Sequence, residues 1–550
     1  MEASNARIFL ALTVIALLAS VGIYSSTLVG GDEGRFVQDA LRISRGEVPI
    51  ADYGTRAPIL SWFVYASSQL FGPSLLAFRL PVILFSALTS GFLFLLGALL
   101  VSRKTAFISA LLFSLTPITL WNNVVIKTEA LTVLFVVISA YFLIRGLQES
   151  QKLYFFLSGI PLGVAYIERQ SVVAFMLTAA LMVATDVWEK KSKMLNYFTQ
   201  RGFLLIGGVI VGFLPVFLYI SFHNFSAAYH MWFTSDLREI VLSTKDASAN
   251  ASSGVVSDFW RAWILTFVET LAVQAGLLFS ALGFFIMCVL EGVFRKRKQI
   301  GFLFSTIFAV LFFGAFFMHA GLIIYRGTFR PQVFLTLALD VVLLGGFFLA
   351  ARYYSGRLQF LFKIQDQITQ LIIFWMVGLF VAYSFFTPGY VREWVPPLCL
   401  IAAIFMTTFQ WRELNVKIRV FFVSTIIIFW VVGFAWFQDP KTGGWWWTQK
   451  TVNNIAEYLN THTTPGQKIF AANPLPVMMA ERRTVADITS YAMVFAENAD
   501  DHYSSFPSPH EMLAMLQSDP PRYALIDRRM QAHFFDQYKF FEDFVRNNYE

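Results

Sequence analysis

The chain is patterned as a series of long apolar runs separated by short polar segments. Residues 8–29 are almost entirely apolar, and about 20 such residues suffice for a helix to cross the hydrocarbon core of a bilayer. Comparable runs recur along the chain and predict about 13 membrane spans. They lie near 8–29, 77–101, 105–121, 129–146, 153–167, 171–187, 202–222, 262–291, 301–323, 332–351, 368–386, 394–411 and 419–437. The runs at 153–167 and 171–187 are short, so tilted, broken or partly re-entrant helices stay open for them.

The charges between the runs predict an orientation. Alternate loops are uniformly basic, and the run Arg295-Lys296-Arg297-Lys298 is the densest of them. Basic residues concentrate in cytoplasmic loops, so we place the N-terminus and this run in the cytoplasm. An odd number of spans then places the C-terminus outside.

Three outer segments are long or rich in polar groups, at 30–76, 223–261 and 438–550. In the last of these, helical spacing over 450–461 and short β-like runs at 468–472 and 523–527 predict a small α/β fold. The sequence therefore predicts two domains. Residues 1–437 form a polytopic α-helical membrane domain with the outer loop 30–76, and residues 438–550 form a soluble extracytoplasmic α/β domain.

Composition supports a membrane class and excludes others. Hydrophobic residues make up 57% of the chain and charged residues 14%, whereas soluble domains average about 25% charge. The net charge of +7 sits mostly in the basic loops, so it does not indicate nucleic-acid binding. Cys288 and Cys399 both lie inside apolar runs and cannot define a disulfide framework or a thiolate metal site. Residues 8–29 lack a small-residue cleavage pattern and are predicted to be a retained span.

The candidate chemistry lies on the predicted outer face. Asp32 and Glu33 follow the first span, and Glu129 begins the fourth. Several arginines share this face, although basic residues are normally depleted there: Arg56, Arg169, Arg326, Arg330 and Arg392. Each could be a solvated or snorkelling flank. Together they suggest an anionic partner such as a lipid phosphate, with nearby carboxylates acting as a general base or as oxygen ligands for a metal.

These residues carry a resemblance to a known family. The segment GDEGRFVQDALRISRGEVPIADYGTRAPILSWFVYASSQLFG resembles the first outer loop of GT-C membrane glycosyltransferases, most closely the protein O-mannosyltransferases and the lipid A aminoarabinose transferases. Asp32-Glu33 matches their acidic pair, and Arg56-Ala57-Pro58 takes the place of a Lys-Pro-Pro segment. Glu129 matches a carboxylate that opens the fourth span, and Arg169 in GVAYIERQSVV matches a basic residue. TPGYVREWVPPLCLIAAI resembles a late outer loop.

Three departures narrow what the resemblance implies. The loop 223–261 is too short for the β-trefoil domain of eukaryotic protein O-mannosyltransferases. Thr55 stands where aminoarabinose transferases have a glutamate linked to metal binding, so we predict no metal site and no cofactor; a divalent metal stays an open alternative without support from the sequence. The WWDYG-type motif of oligosaccharyltransferases is absent. The resemblance thus reaches the superfamily and not a named activity.

The resemblance implies an integral membrane enzyme of the cell envelope. It would move a hexosyl or pentosyl group from a polyprenyl-phosphate-linked donor to a lipid, glycan or protein acceptor on the outer face. Asp32 would act as the base, supported by Glu33 or Glu129, and Arg56, Arg169 and one of Arg326, Arg330 or Arg392 would hold the donor phosphate. The alternative is a non-enzymatic lipid or solute transporter with a cationic outer cavity. Transporters place ionisable residues in the middle of their spans, and in this chain Asp340 is the main residue of that kind. Most candidate charges lie instead at one membrane interface, which favours the enzyme.

Overall fold

The computed structural model of the protein describes most of its N-terminal part and several later segments. The described residues are 3–25, 27, 29, 31–53, 55, 57–189, 194–234, 371, 375, 395–408, 416, 420, 424, 447–471, 473–485, 509–526 and 539–549. The predicted spans near 262–291, 301–323 and 332–351 lie outside them. Also outside them lie Arg56, Cys288, the basic run 295–298, Arg326, Arg330, Asp340 and Arg392. Asp32 is described by its backbone.

Helices dominate the described N-terminal part. They are α1 (Ala3–Ile23), α2 (Gly31–Ser44), α3 (Pro58–Phe71), α4 (Leu75–Leu100), α5 (Arg103–Leu115), α6 (Pro117–Val124), α7 (Glu129–Glu149), α8 (Lys152–Glu168), α9 (Val173–Glu189) and α10 (Met194–Tyr229). Helix α11 (Val395–Thr408) follows further along. Four stretches of the described chain are long and apolar enough to cross a membrane: Ala3–Ile23, Leu75–Leu100, Glu129–Glu149 and Gln200–Phe233.

The run at 105–121, expected to form one span, is divided into two helices. Helix α5 ends at Leu115 and α6 begins at Pro117. A proline disfavours helical backbone in the residue before it, and Thr116 is extended, with φ −66° and ψ 134°. The short helix α6 packs beside α1 and α4. The break therefore places a separate helix just ahead of the segment that leads to Glu129.

Helices α8 and α10 pack closely together because glycines line their contact. Gly159 and Gly163 on α8 meet Gly208 and Gly212 on α10. A Cβ added at Gly163 would lie 2.1 Å from the carbonyl oxygen of Val209. Small residues four positions apart allow helices to approach this closely in a membrane. The paired glycines hold the end of α8 against α10.

Two apolar clusters organise the described helices. One lies among α4, α5, α7, α8, α9 and α11 and includes Leu96, Ile144 and Cys399. The second, here called the outer cluster, joins α2, α3, α4 and α7 through residues such as Phe36, Leu60 and Leu131, all of them buried. Helix α2 is thus packed on the membrane helices rather than suspended in a loop.

The later part of the chain contains a small parallel sheet. Helix α12 (Gln449–His462) is followed by β1 (Lys468–Ala471), α13 (Leu475–Met479), β2 (Arg483–Thr484), α14 (Pro509–Ser518), β3 (Tyr523–Leu525) and α15 (Lys539–Asn548). The strand order is β2-β1-β3, with Ile469 paired with both Thr484 and Tyr523. The elements predicted at 450–461, 468–472 and 523–527 are therefore present as α12, β1 and β3.

This C-terminal unit, the described residues from 447 to 549, contacts the segment that follows α1. Val29 and Trp447 exchange two backbone hydrogen bonds, of 2.7 and 3.1 Å. Val452 of α12 and Leu475 and Met478 of α13 belong to the outer cluster. Apolar surface from both ends of the chain is consequently buried in one core.

Candidate active site

Helix α2 presents the acidic pair found in the sequence. Gly31 is its first residue, so Asp32 and Glu33 fall in its first turn, where the helix dipole favours negative charge. Its apolar side chains Phe36, Val37 and Ala40 are buried in the outer cluster. Burial of this face fixes how the polar positions of the helix are directed.

Glu33 forms a fully buried ion pair with Arg79 of α4. Arg79 Nε donates to Glu33 Oε1 and Arg79 Nη2 to Glu33 Oε2, each at 2.8 Å. Both side chains are 0% exposed. The remaining guanidinium nitrogen, Nη1, donates to Tyr24 O at 2.8 Å and to Thr27 Oγ1 at 2.6 Å. A bidentate fork with its other donors satisfied is the arrangement in which a buried charge pair is tolerated.

Glu33 also connects α2 to the start of α7. The backbone N–H of Ile126 donates to Glu33 Oε1 at 3.1 Å. Ile126 lies three residues before Glu129, the first residue of α7. The contact therefore ties the first turn of α2 to the segment that presents Glu129.

Glu129 pairs with Arg169 from the turn between α8 and α9. Arg169 Nη1 lies 3.1 Å from Glu129 Oε1, and both side chains are largely buried. Arg169 Nε also donates to Ser171 Oγ at 3.0 Å. The sequence proposed these two residues for different roles, and the structure places them in direct contact.

Asp39 is a buried carboxyl that the sequence analysis did not identify. Thr55 Oγ1 and Ser61 Oγ donate to Asp39 Oδ2, at 2.7 and 3.0 Å. Among the described residues, Asp39 Oδ1 has no hydrogen-bond partner. Burial raises the pKa of Asp39 above its ordinary value, and the positive charge of Arg35 partly offsets this.

Arg35 lies near Asp39 on the polar side of α2. Positions 32, 35 and 39 follow the spacing of one helix face. Within the described chain, the Nε and Nη2 atoms of Arg35 are buried without a hydrogen-bond partner. A half-buried guanidinium with two such nitrogens can bind an anion that reaches this face of α2.

Glu168, the last residue of α8, binds the first turn of α3. The backbone N–H groups of Ile59 and Leu60 donate to Glu168 Oε1 at 2.7 and 3.3 Å. Glu168 is 3% exposed. Since α3 carries Ser61, this contact joins the turn between α8 and α9 to the group formed by Asp39, Thr55 and Ser61, here called the Asp39 cluster.

Four contacts therefore close a circuit around the candidate site, here called the polar ring. They are Glu33–Ile126 between α2 and the start of α7, Glu129–Arg169 between α7 and the α8–α9 turn, Glu168–Ile59 between α8 and α3, and Ser61–Asp39 between α3 and α2.

Three of the site residues predicted from the sequence belong to the polar ring: Glu33, Glu129 and Arg169. Asp32 directly precedes Glu33 in the chain. Arg56 falls between the described residues Thr55 and Ala57, and Arg326, Arg330 and Arg392 lie outside the described segments. Within the described part of the chain, no group of three His, Cys, Asp or Glu side chains could hold a metal ion.

Arg79, Asp39 and the bond from Glu168 to α3 were missed. Arg79 is a single charge near the start of the apolar run at 77–101, and the sequence analysis gave it no role of its own. Asp39 received no interpretation from the sequence, although a helix that starts at residue 31 places it on one face with positions 32 and 35.

Part of the chain matches the sequence profile of a known family. Residues 55–219 match the sequence profile of the family described as Dolichyl-phosphate-mannose-protein mannosyltransferase. That segment includes Glu129, Glu168 and Arg169, and it begins at Thr55. No curated protein sequence shows a significant match to the chain.

Two solved structures resemble the whole fold. The crystal structure of ArnT from Cupriavidus metallidurans bound to undecaprenyl phosphate aligns with a TM-score of 0.52 at 12% identity, over 94% of this chain and 91% of ArnT. The crystal structure of the Archaeoglobus fulgidus oligosaccharyltransferase in the apo form aligns with a TM-score of 0.50 at 12% identity, over 95% of this chain and 70% of that protein. At such identity, the likeness concerns fold.

Proposed function

We propose that this chain, which has the fold of the GT-C membrane glycosyltransferases as its resemblance predicted, transfers a sugar from a polyprenyl-phosphate-linked donor. The observation that supports this most is the polar ring. It gathers acidic and basic groups from α2, the start of α7 and the α8–α9 turn around the first turn of α3, inside and beside the segment that matches the mannosyltransferase family. Sugar transfer from a lipid phosphate needs both kinds of group, a base for the acceptor and cations for the departing phosphate.

Asp32 is the proposed base. It takes the proton of the acceptor hydroxyl while that oxygen attacks the anomeric carbon of the sugar. The bond between the anomeric carbon and the phosphate oxygen breaks, and polyprenyl phosphate leaves with the electron pair. Both carboxylate oxygens of Glu33 are engaged by Arg79, so Glu129 is the better candidate to support Asp32.

Cationic side chains stabilise the charge that builds on the leaving phosphate. Arg56, Arg169 and one of Arg326, Arg330 or Arg392 remain the proposed contacts from the sequence. Arg35 joins them, because it lies on the same helix face as position 32 and its Nε and Nη2 have no hydrogen-bond partner among the described residues. Stabilisation of a developing charge raises the rate constant rather than ground-state binding, so loss of one of these groups should reduce kcat.

The acceptor and the orientation are part of the same proposal. A lipid, glycan or protein hydroxyl approaches from the outer face, where residues 438–550 form an extracytoplasmic domain. A cysteine at Glu457, an exposed position on α12, tests the orientation in a variant lacking Cys288 and Cys399. We expect a membrane-impermeant thiol reagent to label it in intact cells, and labelling only after permeabilisation would refute the orientation.

A transfer assay tests the activity. The purified protein in nanodiscs is incubated with labelled polyprenyl-phosphate sugars and with lipid, glycan or peptide acceptors, and release of polyprenyl phosphate is measured together with acceptor labelling. Asp32→Asn should slow transfer about 100-fold or more, the scale of general base catalysis. Asp519→Asn is the matched control, because that carboxylate is exposed and bonds Lys468 of β1.

Two results would contradict the proposal. Transfer that is unchanged in Asp32→Asn would remove the base. A wild-type protein that consumes none of the donors, yet moves them between the leaflets of a vesicle, would favour the transporter.

A further inference from the structure

The first turn of α3 is capped by a residue from a different helix. Its own N-cap residue, Ala57, supplies no side-chain hydrogen bond, and Pro58 has no N–H to satisfy. The next two N–H groups, on Ile59 and Leu60, both donate to Glu168 Oε1. A helix leaves its first N–H groups unsatisfied, and here a buried carboxylate more than 100 residues away accepts two of them.

This contact determines what the end of α3 can do. The N-terminus of a helix carries partial positive charge and attracts anions. At α3 the carboxyl group of Glu168 already occupies that position. A donor phosphate therefore has to be held by side chains and not by the dipole of α3.

The start of α3 in turn fixes the groups around Asp39. Ser61 lies in the first turns of α3 and Thr55 just before it, and both hydroxyls donate to Asp39 Oδ2. Asp39 belongs to α2, the helix that begins with the acidic pair. A shift of α3 away from Glu168 would move two of the contacts that hold α2.

The residue after Glu168 acts on the other side of the ring. Arg169 bonds Glu129 at the start of α7. One turn of the chain thus fixes α3 through Glu168 and the α7 carboxylate through Arg169.

We propose that Glu168 is a positioning residue, which caps α3 and thereby holds the Asp39 cluster and α2 in register with the Glu129–Arg169 pair. Its effect on sugar transfer rests on the proposed function, whereas its effect on α3 does not. It touches no reacting atom, and its contribution is to keep the polar ring closed.

The proposal can be tested directly, because a substitution at the N-cap position of α3 can replace the hydrogen bonds that Glu168 accepts. Ala57 is the N-cap position, and a serine there can accept from the same N–H groups of the second and third helical residues. Four variants are compared with the wild type: Glu168→Ala, Glu168→Gln, Ala57→Ser, and the double variant Glu168→Ala/Ala57→Ser. Glu149→Ala is the control, since Glu149 lies at the other end of α7 and bonds Arg145.

Two measurements are made on each variant in nanodiscs. Hydrogen–deuterium exchange of a peptide covering 59–60 reports the cap, and steady-state kinetics with labelled donor reports kcat and KM. In Glu168→Ala we expect exchange about tenfold faster and kcat at least about tenfold lower, with KM for the donor within about threefold. Glu168→Gln, which keeps an acceptor oxygen, should stay within about threefold of wild type in both, and the double variant should recover most of the loss.

The outcomes separate this inference from the proposed function. Wild-type exchange in Glu168→Ala overturns the cap, whatever happens to transfer. A Glu168→Gln variant as inactive as Glu168→Ala, but with wild-type exchange, overturns positioning, because the charge would then act directly. If Glu168→Ala does not fold, the double variant should restore a folded protein, and failure to do so also overturns the inference. Absence of transfer in the wild type would defeat the proposed function alone, since exchange would still decide the cap.

Discussion

Arg169 Nη1 lies 3.1 Å from Glu129 Oε1, and the two side chains are only 11% and 8% exposed. The pair joins the start of α7 to the turn between α8 and α9. Each residue sets the electrostatic environment of the other, since a nearby guanidinium favours the ionised carboxylate. The proposed support for the base and one proposed phosphate contact are therefore a single coupled unit.

This pairing predicts a non-additive response to mutation. Glu129→Gln or Arg169→Gln alone leaves one buried charge without its partner, which typically costs about 3–5 kcal/mol. The double variant Glu129→Gln/Arg169→Gln removes both charges and should recover most of the thermal stability while transfer stays impaired. Thermal unfolding in detergent and the transfer assay measure the two effects. A double variant as unstable as the sum of the single variants would show that the pair does not couple.

Glu33 is predicted to act in stability rather than in chemistry. Its carboxylate is fully buried and bonded twice by Arg79, so Glu33→Gln should lower the unfolding temperature markedly, as should Arg79→Ala. Arg79→Lys keeps the charge but loses the fork, and its unfolding temperature should fall between those of wild type and Arg79→Ala. Asp32→Asn is the matched comparison and should retain wild-type stability. A Glu33→Gln protein that is fully stable but inactive would instead make Glu33 a reacting group.

Asp39 predicts a pH dependence of stability with a definite sign. Burial raises its pKa above the ordinary 3.8, so the folded state binds the proton more tightly than the unfolded state. The associated stability is fully present below pH 3.8 and is lost as pH rises toward the raised pKa of the folded protein. Asp39→Asn lacks this loss, so its unfolding temperature relative to wild type should increase between pH 4 and pH 8. Thermal unfolding of both proteins across that range checks the sign, and a difference that stays constant or shrinks would contradict it.

The glycine contact between α8 and α10 predicts a position-specific steric effect. A Cβ at Gly163 would meet the carbonyl oxygen of Val209 at 2.1 Å, so Gly163→Ala should push the helices apart, at a cost of about 1–3 kcal/mol. Gly202 lies on α10, and within the described part of the chain no neighbouring heavy atom lies within 4 Å of a Cβ added there. Gly202→Ala should therefore be neutral or slightly stabilising, as alanine is the better helix former. Equal unfolding temperatures for the two variants would exclude close packing at Gly163.

Helix positions were largely readable from the sequence because they depend on local pattern. The apolar runs at 77–101 and 129–146 appear as α4 and α7, with ends within a few residues. The amphipathic stretch at 450–461 is α12. The sequence also contains the cause of the break within 105–121, because Pro117 restricts the backbone of Thr116. The prediction of a single span followed the continuous hydrophobicity of the run instead.

The partners of the charged residues were not readable, because they depend on how distant helices meet. Glu33 and Arg79 are far apart in the chain, and no local spacing relates them. The bond from Glu168 to the N–H groups of α3 involves backbone donors, which carry no residue-type signature. A sequence can thus predict that carboxylates and arginines share one face of a membrane, while their pairing emerges only from the packing of α2, α3, α7 and α8.

The outer cluster has a consequence for how the protein is made. Phe36 and Leu60 are among the early residues of the chain, yet the apolar surface that completes their core comes from Val452, Leu475 and Met478. Because a protein is synthesised from its N-terminus, α2 keeps part of its apolar face uncovered until residues 452–478 have left the ribosome. Helix α2, which begins with the acidic pair, therefore completes its packing late in biogenesis, after the early membrane helices have been inserted. A truncated product would contain Asp32, Glu33 and Glu129 but would leave α2 without its complete core.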